Sequence, residues 1–284
     1  MTREVTLPNG EDLPALGLGT WRYGESAARA SAEVAALRLA FEIGYRVIDT
    51  AEMYADGGAE SVLGQAVEEA TRAGLARESL FVVSKVLPEN AGTGQLIAAC
   101  ERSLRRLRLD HIDLYLLHWR GPVALKDTID GFEILQRRGL IRHWGVSNFD
   151  RDDMHELQAT PGGPACSANQ VWYSLSERGA EFDLLPWQRV QQMPLMAYSP
   201  IDQGELADHP ALRAVAERHA ATPAQVALAW VLAQPGVMAI PKAVHAVHLR
   251  HNWHAARLQL SAGDRAELDR NFPPPVRKTA LAMR

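Results

Sequence analysis

The chain has 284 residues, 47% hydrophobic and 23% charged, a composition that excludes a disordered or collagen-like polypeptide. Its 34 acidic and 30 basic residues leave a formal net charge of −4, with no basic stripe to follow a nucleic-acid backbone. No apolar run approaches the roughly 18–20 residues that span a bilayer, and the N-terminus lacks the apolar segment of a secretory signal. The two cysteines, Cys100 and Cys166, fit neither a disulfide framework nor a zinc spacing. A soluble cytoplasmic protein without nucleic-acid or membrane partners is expected.

Along Val5–Leu13 an Asn9-Gly10 dipeptide separates two short alternating segments, which predicts a small hairpin on a type I′ turn. A repeated alternation follows. Short apolar or β-branched runs at Leu16–Gly19, Arg46–Asp49, Leu80–Ser84, Ile112–Leu117, Trp144–Ser147, Asn169–Tyr173, Leu195–Tyr198 and Val237–Pro241 predict eight strands. Helical periodicity fills the intervals, as over Ala27–Ile43, Gly94–Leu107 and Thr222–Gln234. The last of these starts on Thr222 as N-cap with Pro223 at the first helical position, and stops at Pro235-Gly236. Steps of roughly 25–40 residues correspond to one βα unit each. Eight such units predict a (β/α)8 TIM barrel with an N-terminal β-hairpin. An open doubly wound sheet would want GxGxxG after its first strand, and Arg22 stands where the third glycine belongs. No linker interrupts Leu13–Pro273, so residues 1–284 read as one domain, ending in a Pro273-Pro274-Pro275 tail that cannot continue a helix.

A barrel of this kind places its chemistry at the C-terminal ends of the strands, and polar residues stand there in this sequence. The second run ends in Asp49, with Tyr54 in the loop beyond; the third leads to Lys85 and the fourth to His118. Ser147-Asn148, Asn169-Gln170, Tyr198-Ser199 and Lys242 close or begin later runs. Taken singly, Asp49 reads as a cap, Lys85 as a surface lysine and His118 as a core histidine. Taken together they read differently, because Lys85 and His118 follow apolar runs where a charge needs a partner, and Asp49 supplies one. An ammonium beside the Tyr54 hydroxyl would lower the phenol's pKa and make it a proton donor near neutral pH. His118 would hold a carbonyl oxygen where negative charge develops. None of the four can deliver hydride, so a cofactor is required.

These residues sit in longer matching stretches. They are Gly17-Leu18-Gly19-Thr20-Trp21, Gly44-Tyr45-Arg46-Val47-Ile48-Asp49-Thr50-Ala51-Glu52-Met53-Tyr54, Val83-Ser84-Lys85 and Asp113-Leu114-Tyr115-Leu116-Leu117-His118-Trp119. Gly145-Val146-Ser147-Asn148-Phe149, Asn169-Gln170, Ala197-Tyr198-Ser199-Pro200 and Ile240-Pro241-Lys242 complete the set. Across almost its whole length the chain resembles the aldo-keto reductase superfamily, in particular its bacterial members with short loops. The resemblance implies NAD(P)H-dependent reduction of aldehydes or ketones to alcohols, by a monomer, with Asp49, Tyr54, Lys85 and His118 as catalytic tetrad and Tyr54 as general acid. It also implies that Ser147, Asn148 and Gln170 hold the nicotinamide carboxamide and that Tyr198 stacks on its ring. The backbone after Ser199 would follow the pyrophosphate and Lys242 would meet the 2′-phosphate of NADPH. Further cofactor contacts are implied for Thr20, Trp21, Asp49, Pro200, Ile201, Gly204, Ala243, His248, His251 and Asn252. A cofactor-sensing regulatory barrel with little turnover is the alternative; an intact tetrad argues against it. A barrel hydrolase or lyase lacks the HExxH, GxSxG or metal-cluster residues it would need.

The chain departs from the family pattern at four places. Ala243 replaces a hydroxyl residue, His248 an arginine, His251 a glutamate, and Arg120 the proline after the His-Trp pair. The strong NADP preference of the family is thereby weakened, and NADH use becomes open. His245, His248, His251 and His254 recur at every third residue; on a helix they fan out, with no cysteine or carboxylate to complete a metal site, so no metal is expected. A protonated His248 assisting Lys242 would make phosphate contact pH-dependent. Trp21, Met53, Trp119 and Tyr173, together with Tyr54 and His118, are expected to wall a site for an uncharged or aromatic carbonyl compound. Arg120 either recruits a carboxylate or makes a surface ion pair. A short loop after the fourth strand and a brief tail predict an open pocket.

Overall fold

The computed structural model describes residues 3–284. Eight parallel strands form one sheet: β3 (Leu18–Gly19), β4 (Val47–Asp49), β5 (Phe81–Val86), β6 (Ile112–Leu117), β7 (Ile141–Ser147), β8 (Asn169–Trp172), β9 (Leu195–Tyr198) and β10 (Val237–Ala239), each paired with its neighbour in chain order. Parallel bridges Leu16↔Ala239 and Gly19↔Lys242 join the first strand to the last and close the barrel. Strands β5 and β6 are buried at every position, as a parallel sheet covered on both faces requires.

The covering helices are α1 (Ala27–Ile43), α2 (Gly58–Arg72), α3 (Thr93–Leu107), α4 (Leu125–Arg137), α5 (Arg151–Ala159), α6 (Leu184–Val190), α7 (Pro210–Arg218) and α8 (Pro223–Leu232). Two more follow the last strand, α9 (Ala246–Ala255) and α10 (Ala262–Asn271). Thr222 caps α8 as expected, its hydroxyl accepting from Gln225 N–H while the Gln225 carboxamide oxygen accepts from Thr222 N–H. Gly64 lets α2 lie against α3, since a Cβ there would sit 2.4 Å from the Arg106 carbonyl oxygen.

The N-terminal hairpin, β1 (Glu4–Thr6) and β2 (Asp12–Pro14), is present with a different turn. Gly10 N–H donates to the Leu7 carbonyl at 2.8 Å, which puts Pro8 and Asn9 at the turn's centre. Proline fixes φ near −65°, so a type I′ turn with two positive φ values cannot form. Only Gly10 is left-handed, at φ 89°, and Leu7 N–H donating to the Glu11 carbonyl closes a three-residue loop.

This hairpin plugs the end of the barrel where the strands begin. Val5, Leu7 and Leu13 are buried there, and Glu11 accepts hydrogen bonds from Arg142 at 2.8 and 2.9 Å. Arg142 also reaches Asp113 at 3.0 Å, and Asp113 accepts from Arg77 at 2.7 Å and from Val82 N–H at 2.8 Å. Polar residues at the start of β7 therefore belong to an ionic floor, and β7 begins at Ile141, three residues before its apolar run. The opposite end of the barrel carries the cleft.

Candidate active site

At the C-terminal rim the side chains of β4, β5 and the β4–α2 loop meet. Lys85 Nζ, fully buried, donates to Asp49 Oδ2 at 2.7 Å, to the Thr50 carbonyl at 2.9 Å and to the Tyr54 hydroxyl at 3.1 Å. Asp49 uses its other oxygen to accept from Gln170 Nε2 at 2.8 Å, which ties β4 to β8 across the barrel mouth. The three donors of Lys85 are thus all spent, and Asp49 is satisfied on both oxygens; a charge pair at this depth needs such partners. Tyr54 is half-buried and held edge-on between Trp21 and His118, at ring-centroid distances of 5.1 and 5.9 Å. The two residues after it, Ala55 and Asp56, have φ 52° and 50°, a left-handed pair that turns the chain sharply behind the phenol.

The electrostatics differ from the sequence expectation in one respect. Burial raises the Tyr54 phenol above its ordinary value; Lys85 pulls it down, Asp49 pushes it up, and the balance is upward. The ammonium does acidify the phenol, but desolvation is the larger effect, so Tyr54 is protonated throughout the neutral range. Burial also works against the charge on Lys85, yet Asp49 and Tyr54 outweigh it and keep the group a cation.

Burial first, and then the Lys85 charge, push the His118 imidazole from 6.5 down to about 2. It is a neutral ring at working pH, and its Nδ1 is buried without a partner. The unfolded chain binds a proton near pH 6.5 and the folded chain does not. Stability is therefore full above that pH and falls as the pH drops toward about 2, by up to ~1.4 kcal/mol per pH unit. His118→Gln should flatten this stretch of an acid-denaturation curve by one proton. An unchanged slope would rule out the neutral buried imidazole.

From this cluster a continuous cleft of about 1190 Å³ runs past Ser147, Asn148, Gln170 and Tyr198, under the β9–α7 loop and on to Lys242 and α9. The Asn148 backbone is left-handed at φ 60°; its amide donates to the His118 carbonyl at 3.0 Å and its oxygen accepts from the Tyr198 hydroxyl at 3.0 Å. Ser147 donates to the Gln170 carbonyl at 2.8 Å. The β9–α7 loop is strained as well, with φ 46° at Ser199, 48° at Asp202 and 54° at Gln203. Asp202 anchors it by accepting from Ser174 at 2.6 Å and from Trp172 Nε1 at 3.2 Å.

A model of the aldo/keto reductase family matches residues 15–271, which spans every strand of the barrel and all of these rim residues. The chain belongs to the aldo/keto reductase family. It is an oxidoreductase that uses a nicotinamide cofactor to reduce aldehydes or ketones. It is 51% identical over 276 residues to methylglyoxal reductase YeaE of Escherichia coli, with 95% of each chain covered. To the glyoxal reductase of Bacillus subtilis it is 38% identical over 269 residues, covering 93% of this chain and 91% of that one. A crystal structure of an aldo-keto reductase from Klebsiella pneumoniae in complex with NADPH superposes with a TM-score of 0.95 at 47% identity, covering 100% of this chain and 99% of that one.

Within this aldo/keto reductase most of the residues expected at the cleft do line it: Trp21, Asp49, Met53, Tyr54, His118, Trp119, Ser147, Asn148, Gln170, Tyr198, Ser199, Pro200, Ile201, Gly204, Lys242, Ala243, His248, His251 and Asn252. Two do not. Thr20 is buried behind the cleft, where its N–H and hydroxyl both donate to the Asp49 carbonyl, so it supports the strand. Tyr173 is wholly buried against Trp230, its hydroxyl donating to Glu181 at 2.7 Å, and it walls no pocket. Arg120 resolves as the surface ion pair, 2.9 Å from Glu156.

The tail also departs from expectation. Lys278 reaches Asp152 at 2.7 Å, and Met283 and Arg284 extend the cleft wall. Arg284 N–H donates to the Tyr198 hydroxyl at 3.2 Å, while its guanidinium pairs with Glu205 and lies 5.0 Å over the Trp172 ring. The pocket is less open than the brevity of the tail suggests. Arg22, Arg29 and His245 line the far end as well; they stand outside any strand-end motif, so the sequence carries no signal for them as contacts.

Proposed function

We propose that this chain reduces small uncharged aldehydes and ketones with NADPH, 2-oxoaldehydes of the methylglyoxal type among them, and that Asp49, Tyr54, Lys85 and His118 carry the proton chemistry. The observation that supports this most strongly is the meeting of the Lys85 ammonium and the Tyr54 hydroxyl at 3.1 Å, beside a neutral histidine whose Nδ1 is buried without a partner, at the mouth of a cleft about 1190 Å³ in volume. The cleft suits a dinucleotide. It has an aromatic and amide-lined end at Tyr198, Asn148 and Gln170, a looped middle at Ser199–Gly204, and a basic end at Lys242, Arg22 and Arg29. Relatives point the same way: the Escherichia coli protein is a methylglyoxal reductase and the Klebsiella pneumoniae one binds NADPH.

Bound there, the reduced nicotinamide would supply hydride to the carbonyl carbon. Reduction also consumes one proton, and Tyr54 delivers it to the oxygen. Burial keeps that phenol protonated, which suits the reductive direction. Lys85 stabilises the phenolate left behind, and Asp49 with the Thr50 carbonyl holds Lys85 in place. The neutral imidazole of His118 orients the carbonyl by hydrogen bonding. Ser147, Asn148 and Gln170 would position the carboxamide, and Tyr198 the ring face. Substrate would rest between Trp21, Met53 and Trp119; Trp21 and Met53 are each 41% exposed at the entrance, an apolar surface with few polar anchors that suits varied small carbonyls.

All the proposed catalytic groups come from one chain, which favours a working monomer of one domain, residues 1–284. Both cysteines are buried and free, which suits a reducing cytoplasm, and no helix among the described residues is long and apolar enough to cross a membrane. The decisive measurement is absorbance at 340 nm with NADPH and methylglyoxal, then with NADH. Steady oxidation that depends on the aldehyde is expected, faster with NADPH. Tight coenzyme binding without turnover across an aldehyde panel would replace this reading with that of a sensing barrel.

A further inference from the structure

We infer that His245, His248 and His251 make the choice between a 2′-phosphorylated and an unphosphorylated coenzyme depend on pH. The inference rests on reading the cleft as a coenzyme site. Its basis is a placement that single-residue reasoning about His248 does not capture: three imidazoles, one just before α9 and two on its first turns, line the same end of the cleft. Their ring centroids are 5.9 Å apart from His245 to His248 and 6.5 Å from His248 to His251. His254, next in the series, turns away from the cleft lining. Among the described residues no side chain hydrogen-bonds to any of the three rings, and none of them pairs with a carboxylate, so all three are free to meet a ligand.

The charges that face them are few. Lys242 precedes the histidines, and Arg22 and Arg29 approach from the loop before α1 and from α1 itself. Against these stand Glu25, 3.2 Å from Arg29, and Glu33, which lies 4.0 Å from Arg29 and accepts from Gly24 N–H at 2.8 Å. Helix α8 presents Thr222 and Ala224 and no charge; on α9 the remaining titratable groups, Arg250 and His254, lie outside the lining. With the histidines neutral, three cations are set against two carboxylates. With them protonated, the same surface becomes strongly positive and offers two N–H donors per ring.

Three adjacent imidazolium rings repel one another, and a phosphate dianion among them removes that repulsion. Binding should therefore draw protons onto the cluster, and by linkage a falling pH should strengthen binding. The ligand's own titration runs the other way: a phosphate monoester loses its second charge below about pH 6, so a site built on lysine and arginine alone would weaken on acidification. The sign of the pH effect separates the two.

The test uses the whole protein and two probes that occupy only this end, adenosine 2′,5′-bisphosphate and adenosine 5′-monophosphate. Their affinities are measured by calorimetry from pH 8 to pH 6 in buffers of different ionisation enthalpy, with NADPH binding at pH 8 as reference. The preference for the bisphosphate is expected to rise on the order of ten-fold toward pH 6, one charge-assisted hydrogen bond's worth, with net proton uptake. In the triple variant His245→Gln, His248→Gln, His251→Gln the preference should fall over the same range, with proton release. His248→Arg should hold it high at both ends. Equal pH slopes in wild type and triple variant would overturn the inference while NADPH binding at pH 8 leaves the coenzyme site standing. Failure of both probes and of NADPH to bind at any pH would overturn the reading of the cleft and the inference with it.

Discussion

Tyr54→Phe should lower kcat for aldehyde reduction by about 10²–10⁴-fold, the usual worth of a positioned proton donor, while NADPH binding changes little. The substitution removes one oxygen. Lys85 keeps its bonds to Asp49 and to the Thr50 carbonyl, so the charge pair stays intact, while the ammonium N–H that faced the phenol is left unpaired at a cost of about 1–3 kcal/mol. Ring packing against Trp21 and His118 is retained. Chemistry should therefore fail while the fold and the coenzyme cleft persist, a separation that steady-state kinetics together with intrinsic fluorescence titration can read directly. A variant with near-normal kcat would move the acid role to another group, and His118 is then the remaining hydrogen-bonding candidate at the rim.

Lys85→Met should be the most destabilising single change at the site, by about 3–5 kcal/mol, because it strands the buried Asp49 carboxylate without its counter-charge. Gln170 still donates to Asp49 Oδ1, but one neutral hydrogen bond does not replace an ammonium at 2.7 Å. Activity should be lost with it, since the phenolate left by proton transfer has no cation beside it. Equilibrium denaturation measures the stability change. The informative control is Asp49→Asn combined with Lys85→Met: the double variant should be more stable than the sum of the two single losses predicts, because it leaves no orphaned charge. Additive losses would mean that the two groups do not act as a pair.

The barrel and the position of its chemistry were legible from alternation alone, because parallel strands buried on both faces write themselves as apolar runs and the residues that end them are polar for a reason. Asp49, Lys85 and His118 stood out as charges or titratable groups beside such runs. What the sequence did not reveal shares a different cause. Pro8 overrode Asn9-Gly10 at the hairpin, since a fixed φ outranks a dipeptide preference. The start of β7 was hidden because Arg142 serves the ionic floor and His143 beside it meets Glu11 at 2.8 Å, and both break the apolar pattern. Arg284 reaches the cleft, with Met283 beside it, through contacts with residues some 80 positions earlier, Glu205 and Tyr198, which no local pattern encodes. Tyr173 sits beside a strand end as a pocket aromatic would, but its ring faces the core. The sign of the Tyr54 shift depended on how much water the fold removes from around it, a quantity set only by the packed structure.

The floor described above, where Glu11, Arg142, Asp113 and Arg77 are linked around the hairpin, lies a full strand length from Tyr54. An ionic reinforcement of the fold and the machinery of turnover thus occupy opposite poles. Anyone wishing to harden this enzyme against heat can work on the closed pole, and anyone wishing to retune what it accepts can work on the loops around Trp21, Met53 and Trp119, with little interference between the two campaigns.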